Sequence, residues 1–331
     1  MNKAIKNLED FLNKYDKFII STHESPDADG LACTIAFLDL LKQLGKNAII
    51  LNSDPTPEIC KFMDIDNEIN ILDDESKIPE GIHEYAQFVL DTNDYDNTGN
   101  VYKLLKDKVR DCFIIDHHIG DENKANKNYV KVESASASEI IYTIFAHYKK
   151  DLSFKTAQAL YAGIVFDTGS FRFPKTTSET FKIASHLVSF GVDPFKVYEH
   201  LYESNSIESF QLRGKILSTM EVLFDGKMVV MKLTPEMVKE TGGSFSEGES
   251  TINQPFQVKG VVASLLIKQD IEGPVKVSMR TKGDLNVAEI AIRNGGGGHK
   301  NAAGYKSKLS FEEAYKKAIE DMSVFFKKNK S

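Results

Sequence analysis

The stretch Phe18-Ile19-Ile20-Ser21-Thr22-His23-Glu24-Ser25-Pro26-Asp27-Ala28-Asp29-Gly30 decides the fold. It passes from an apolar, β-branched run through a short polar loop into the helix-length amphipathic segment Leu31 to Leu44. Short apolar runs recur at Ala48-Ile49-Ile50-Leu51, Phe88-Val89-Leu90 and Cys112-Phe113-Ile114-Ile115. Strand-length runs alternating with helix-length segments predict an α/β domain with a doubly wound parallel sheet. None of these runs alternates with polar residues, as expected of strands covered on both faces. In such sheets ligands bind beyond the carboxyl ends of the strands, so the residues that follow each run carry the most information.

Helical patterns follow at Ser136 to Tyr148, Lys155 to Val165, Ser178 to Phe190 and Asp193 to Glu203. From about Glu221 the pattern changes to the strand-like runs Lys227 to Leu233, Val258 to Ile267 and Val275 to Met279, with a Gly/Ser-rich loop expected over Gly242 to Ser250 and a terminal helix over Phe311 to Phe326. The organisation predicted is a domain over 1–204, a linker helix over 205–220 and a smaller α/β domain over 221–331, with a cleft between the two domains. A chain of 331 residues is long enough for two such cores. The closing Lys327-Lys328-Asn329-Lys330 reads as a solvated tail.

A formal charge of −7 is the wrong sign for holding long polynucleotides by neutralising many phosphates, so a nucleic-acid ligand is expected to be short or held through metal ions. Cys33, Cys60 and Cys112 lie far apart and form neither a C-x-x-C site nor an even disulfide set, which reads as reduced core thiols. The first residues carry charge where a signal peptide is apolar, and no apolar run reaches membrane-spanning length, so a cytoplasmic protein without membrane association is expected.

The first run ends in His23, Asp27 and Asp29, the run at Phe88 in Asp91, and the run at Cys112 in Asp116-His117-His118. One imidazole with carboxylates suits hard or borderline divalent ions such as Mn²⁺ or Mg²⁺. Read singly, each group has a structural alternative, with Asp29 capping a helix, Asp27 making a turn and His23 incidental. Three strand ends of one sheet delivering such residues together point instead to a metal centre. Asp167, in Phe166-Asp167-Thr168-Gly169-Ser170, follows another apolar stretch. Successive glycines at Gly295-Gly296-Gly297-Gly298, followed by His299, let backbone N–H groups approach an anion closely; a flexible loop is the plainer reading of the glycines alone. Arg280 ends a strand-like run, and its guanidinium suits a phosphate or a base. Phe171 and Phe173 flank Arg172, as cleft lining or core. His83, His147, His186 and His200 lack partner spacing and read as packing or surface residues.

The order His-x-x-x-Asp-x-Asp, Asp, Asp-His-His, Asp resembles that of the DHH phosphoesterase superfamily, and Gly295 to Gly304 resembles the signature of the DHHA1 domain. Together the two cover nearly the whole chain, in the manner of the stand-alone, NrnA-type members. The resemblance implies two Mn²⁺ ions per active site, with Mg²⁺ or Co²⁺ as alternatives. His23 and Asp27 would hold one, Asp29, His117 and Asp167 the other, and Asp91 would bridge them. Asp116 would orient a neighbouring histidine, His118 would touch the scissile phosphate or protonate the leaving oxygen, and Arg280, Gly296, Gly297, Gly298 and His299 would hold substrate.

The activity implied is hydrolysis of short oligoribonucleotides and linear di-adenylate to 5′-nucleoside monophosphates, extending to the 3′-phosphate of adenosine 3′,5′-bisphosphate. Cyclic di-AMP as the main substrate is the alternative, and a non-catalytic nucleotide sensor a more distant one. The resemblance also admits a homodimer. One departure from it is Asn253-Gln254-Pro255-Phe256-Gln257, which carries no basic residue where relatives place one.

Overall fold

The computed structural model describes residues 3–118, 128–269 and 273–326. The side chain of His299 and the tail Lys327 to Lys330 lie outside the described residues. The chain divides into two compact units, Met1–Ser204 and Asn205–Ser331.

In the first unit the described residues form a six-stranded sheet in the order β3-β2-β1-β4-β5-β6. Its strands are β1 (Lys17–Ser21), β2 (Asn47–Asn52), β3 (Ile69–Ile71), β4 (Ala86–Leu90), β5 (Cys112–Asp116) and β6 (Asn128–Val130). Every neighbouring pair is parallel. The order reverses direction between β1 and β4, which makes a topological switch point at the carboxyl ends of those two strands. The helices are α1 (Lys3–Lys14), α2 (Ala28–Gln43), α3 (Asn100–Leu105), α4 (Ala137–Tyr148), α5 (Phe154–Asp167), α6 (Ser178–Val188) and α7 (Pro194–Tyr202). Phe18, Ile20, Phe88, Leu90, Phe113 and Ile115 pack on one face with residues of α1, α2, α4 and α5. Ile19 and Leu51 pack on the other with Val101 and Leu105 of α3. Burial on both faces explains why these strands read as unbroken apolar runs. The short edge strands β3 and β6 have no such pattern and were not legible.

In the second unit the order is β11-β12-β10-β9-β8-β7, built from β7 (Glu221–Leu223), β8 (Met228–Leu233), β9 (Ala263–Gln269), β10 (Val275–Thr281), β11 (Gly297–His299) and β12 (Ala302–Ser307). Only β8–β9 among these described pairs is parallel. Its helices are α8 (Ile207–Ser218), α9 (Pro235–Thr241), α10 (Phe245–Glu249), α11 (Val287–Arg293) and α12 (Phe311–Ser323). One face packs Val230, Leu265, Val277 and Met279 beneath residues of α11 and α12. The other packs Val229, Met231, Leu233 and Leu266 against Leu212 and Ile216 of α8. The segment expected as a linker helix thus contains α8, which belongs to this second core.

Two expectations for this unit are corrected. The run Val258 to Ile267 is strand only from Ala263; Gly260 at φ 94° turns the preceding residues, with the Val261 N–H donating to the Val258 carbonyl at 3.2 Å. The region Gly242 to Ser250 holds α10, capped by Ser244 and Glu247 in reciprocal hydrogen bonds. That S-x-x-E spacing is a helix-start signal which the glycine and serine content obscured. Cys33, Cys60 and Cys112 form no disulfide, and the first two are buried. No helix among the described residues is long and apolar enough to cross a membrane.

Candidate metal centre

The chain leaves β1 through Thr22, whose N–H donates to Oδ1 of Asn52 at 3.2 Å, and enters α2 at once. Asp27 caps that helix, its Oδ1 accepting from the N–H groups of Asp29 (3.0 Å) and Gly30 (3.1 Å). The cap is therefore Asp27, and Asp29 is fully buried. A Cβ on Gly30 would collide with the Thr22 hydroxyl, so only glycine lets α2 start this close to β1.

Asp29 sits on the amino end of α4. Its Oδ2 accepts from the Ala137 N–H at 2.7 Å and its Oδ1 from the Ser138 N–H at 3.0 Å. Two backbone donors at a helix N-terminus hold a buried carboxylate in one orientation.

Asp91 is the first residue beyond β4 and adopts φ 62°, a conformation that non-glycine residues rarely occupy. The ladder holds it there, its N–H donating to the Ile115 carbonyl at 2.9 Å. Asp116 ends β5 and is fully buried. Its Oδ1 lies 2.8 Å from Nδ1 of His118 and its Oδ2 accepts the His118 N–H at 3.1 Å. Asp116 thus fixes His118, whose side chain is 52% exposed. His117 turns inward, and its Nδ1 faces the Ser134 carbonyl at 3.3 Å. Because a carbonyl only accepts, Nδ1 carries a proton and Nε2 is the ring atom turned toward the neighbouring carboxylates.

These side chains converge. Nε2 of His23 lies 3.8 Å from Asp27 Oδ1 and 3.8 Å from Asp91 Oδ2. Nε2 of His117 lies 3.4 Å from Asp91 Oδ1 and 3.0 Å from Asp167 Oδ2. Among the described residues three sets emerge, His23/Asp27/Asp91, Asp29/His117/Asp167 and Asp91/His117/His118, each with ligand atoms within 4.8 Å of one another. Asp91 and His117 each belong to two of them.

Burial and the neighbouring Asp29 push the Asp91 carboxyl well above its ordinary value. Burial, then Asp167, pushes Asp29 up to about 7. Burial opposes a charged imidazole, yet Asp27 brings His23 up to about 9, and Asp167 with Asp91 brings His117 up to about 11. The cluster left to itself therefore retains protons. Among the described residues Asp91 Oδ1 and His117 Nε2 are nevertheless buried without a directed hydrogen bond, a costly arrangement unless something else binds there. Carboxylate oxygens and imidazole nitrogens, some of them orphaned, fit divalent cations that would take the place of the protons.

Sequence reasoning missed Ser134 and Glu139. Glu139 Oε2 accepts from the Ser134 hydroxyl (2.8 Å) and the Ala135 N–H (2.9 Å), and so fixes the loop whose carbonyl orients His117. The Ser136 and Glu139 spacing was the available signal, since Ser136 caps α4 by accepting the Glu139 N–H.

In the second unit Arg280 is half-buried on β10, its Nη1 donating to the Met279 carbonyl at 3.1 Å. It pairs in register with Ser264 of β9 and Ala302 of β12. Gly296 is backed closely by the Gly304 carbonyl, and Gly298 at φ 134° by that of Ala302, while Gly297 and His299 lie on β11.

Residues 17–164 match the model of the DHH family, N-terminal domain, and residues 227–328 that of the DHHA1 domain. The chain thus carries a DHH-family N-terminal domain followed by a DHHA1 domain. It is 29% identical over 91% of its length, and 87% of the relative's, to the bifunctional oligoribonuclease and PAP phosphatase NrnA of Thermus thermophilus. To the Bacillus subtilis protein of that name it is 26% identical, over 92% and 93% of the two chains. It is also 26% identical to the cyclic-di-AMP phosphodiesterase PdeA of Listeria monocytogenes, 97% of this chain spanning 49% of that one. An exopolyphosphatase-related protein of Bacteroides fragilis superposes with a TM-score of 0.89 at 25% identity, over 98% and 97% of the chains. Within this DHH–DHHA1 chain, the clustered residues follow β1 (His23 and Asp27, with Asp29 in the first turn of α2), β4 (Asp91) and β5 (His117 and His118), and are joined by Asp167 at the end of α5.

Proposed function

We propose that the protein is a two-metal, Mn²⁺-dependent phosphodiesterase that hydrolyses linear di-adenylate and other short oligoribonucleotides to 5′-nucleoside monophosphates, and removes the 3′-phosphate of adenosine 3′,5′-bisphosphate. The observation that carries this is the pair of orphaned, buried atoms, Asp91 Oδ1 and His117 Nε2, set between two triads of metal-type ligands. His23, Asp27 and Asp91 would hold one ion, and Asp29, His117 and Asp167 the other, with Asp91 shared. Divalent cations bound there supply a water nucleophile of lowered pKa and neutralise charge on the phosphoryl oxygens.

The chain's own residues do the rest. Asp116 holds Nδ1 of His118, leaving Nε2 of that half-exposed ring to meet the phosphate or to protonate the leaving oxygen. Ser134 keeps the His117 tautomer, and the α4 N-terminus keeps the Asp29 carboxylate aimed. Arg280 and the Gly296 to His299 segment would hold a phosphate or base of the substrate. The names of the Thermus and Bacillus relatives support this substrate class.

A second reading, hydrolysis of cyclic di-AMP as the main activity, is favoured by the match of 97% of the chain to the Listeria phosphodiesterase. Metal-stripped protein re-supplied with Mn²⁺ or Mg²⁺ is to be assayed on linear di-adenylate, cyclic di-AMP, a short RNA, adenosine bisphosphate and long single-stranded DNA. Restored cleavage of the short linear substrates, with long DNA spared, is expected. Faster turnover of cyclic di-AMP than of its linear product replaces this reading with the second, and no metal-dependent cleavage overturns both.

A further inference from the structure

Immediately beyond the ligand Asp167, the backbone takes three successive left-handed residues, Gly169 (φ 54°), Ser170 (φ 59°) and Phe171 (φ 64°). Serine and phenylalanine adopt that region only when the surroundings enforce it. Thr168 does so here. Its hydroxyl accepts the Phe171 N–H at 2.9 Å, and its carbonyl accepts the N–H groups of Arg172 (2.9 Å) and Phe173 (3.0 Å). Such a turn is specified rather than incidental, and what it presents is Arg172, Phe173 and Lys175.

Both cations are anchored to the main chain of ligand-bearing segments. Nε of Arg172 donates to the Gly169 carbonyl at 2.8 Å, which orients the guanidinium while leaving its terminal nitrogens for another acceptor. Nζ of Lys175 donates to the carbonyl of His117 at 3.3 Å. Neither has an acidic ion-pair partner among the described residues, although acidic residues outnumber basic ones, 48 to 41.

The two aromatics divide their roles. Phe171 stacks on Phe181 with centroids 5.1 Å apart and packs against the core. Phe173 is 50% exposed yet held in place, its ring tip lying 2.5 Å from where a Cβ on Gly169 would stand. Glycine at 169 thus serves both the positive φ and the ring.

We infer that Arg172, Phe173 and Lys175 form a second substrate subsite within the N-terminal unit: the two cations take a non-scissile phosphate of a short oligonucleotide, and Phe173 offers a fixed ring to a base. This rests on the phosphodiesterase reading above and adds to it a reason for preferring substrates with more than one phosphate. A guanidinium with free terminal nitrogens suits a phosphate, and an exposed ring beside it suits stacking of any base. Cations held by the neighbouring cluster would meet the scissile phosphate, so a separate pair of positive charges is what a second phosphate requires.

The test compares linear di-adenylate with bis(p-nitrophenyl) phosphate, a diester with one phosphate and no base, in Mn²⁺. For Arg172→Gln combined with Lys175→Gln, KM for di-adenylate rises about 10- to 100-fold more than KM for the simple diester, the worth of a charge-assisted hydrogen bond. Phe173→Leu shifts the same ratio in the same direction, and Arg172→Lys recovers part of it. Equal changes on the two substrates, or none, overturn the subsite and leave the turn as a support for Asp167. Metal affinity by calorimetry, expected to stay near the wild-type value, separates the two, because a collapsed turn weakens it. Wild-type protein that cleaves neither substrate removes the phosphodiesterase reading instead.

Discussion

Oδ1 of Asp29 lies 2.6 Å from the position a Cβ on Gly163 would occupy. The glycine is inside α5, where it costs helix stability relative to alanine, and its φ is not positive, so its role is close approach. α2 and α5 pack together here, and Asp29 is threaded between them to reach the α4 N-terminus. Gly163→Ala is expected to destabilise the fold by about 1–3 kcal/mol through overpacking and to push Asp29 off its two backbone donors. Calorimetric affinity for Mn²⁺ then falls at least tenfold with kcat. Unchanged affinity means that Asp29 takes no part in holding the ion.

Asp91 joins strain to burial. Its positive φ and its raised carboxyl pKa both oppose the folded state, a cost that function explains and packing does not. Asparagine tolerates the left-handed region and carries no charge to bury. Asp91→Asn is therefore expected to raise the Tm of metal-free protein while abolishing the Tm gain that Mn²⁺ gives the wild type. Turnover falls roughly a thousandfold or more, the scale of several kcal/mol of transition-state charge stabilisation. A metal-free Tm below wild type would show that the Asp91 carboxylate is structural.

Above about pH 4, where Asp27 beside His23 is already ionised, the cluster's pH dependence has one sign. Burial and Asp167 raise Asp29 from 3.8 to about 7. Against the opposing effect of burial, Asp27 raises His23 from 6.5 to about 9, and Asp167 with Asp91 raises His117 from 6.5 to about 11. The folded, metal-free protein thus binds more protons than the unfolded chain, and its stability falls as pH rises. The Asp29 share is lost between about 4 and about 7. The histidine shares are intact below about 6.5 and are lost as pH rises through about 9 and about 11. Cations take the same electron pairs and release those protons, so their affinity climbs with pH. Thermal melts in a chelator are expected to show Tm decreasing from about pH 6 to about pH 9, and melts in Mn²⁺ a level or rising Tm. A rising chelator curve removes the proton-loaded cluster.

Much of this site was legible because a parallel sheet gathers its strand ends at one edge, and residue types there survive as a pattern. His23, Asp27, Asp91 and His117 each follow a buried run that the sequence displays. Other parts depend on long-range pairing that no local pattern encodes. The order β3-β2-β1-β4-β5-β6, which puts the switch point at His23 and Asp91, follows from how crossovers pack. Asp29 was legible as a metal-type ligand with helix capping as the alternative, and only the approach of α4 shows it bound to Ala137 and Ser138. Glu139 lies within a helical run where no local pattern points to Ser134, and only the fold brings its oxygen to that hydroxyl.

That contact predicts a graded effect. Glu139 holds the Ser134 hydroxyl and the Ala135 N–H, and the Ser134 carbonyl faces His117. Partners beyond the ligands tune affinity by about 10- to 100-fold. Glu139→Gln keeps one acceptor oxygen and loses the charge, so Mn²⁺ affinity is expected to fall about tenfold, and Glu139→Ala more steeply. Equal loss in both variants points to a packing role alone.

The glycine run separates two roles within four residues. A Cβ on Gly298 would stand 2.5 Å from the Ala302 carbonyl and 2.6 Å from the Ala303 Cα, and one on Gly296 would meet the Gly304 carbonyl. Those glycines are demanded by the β11–β12 pairing. Among the described residues nothing lies within 4 Å of a Cβ on Gly297, so the described hairpin gives no reason for glycine there. Close approach of an anion to the backbone does, because a side chain would stand in its way. Gly298→Ala is expected to lower Tm by several degrees, roughly the effect of 1 kcal/mol in a domain of this size. Gly297→Ala leaves Tm in place and raises KM for linear di-adenylate roughly tenfold, the worth of a hydrogen bond to a charged group. An unchanged KM in Gly297→Ala assigns the whole run to the hairpin and moves the search for the phosphate to Arg280.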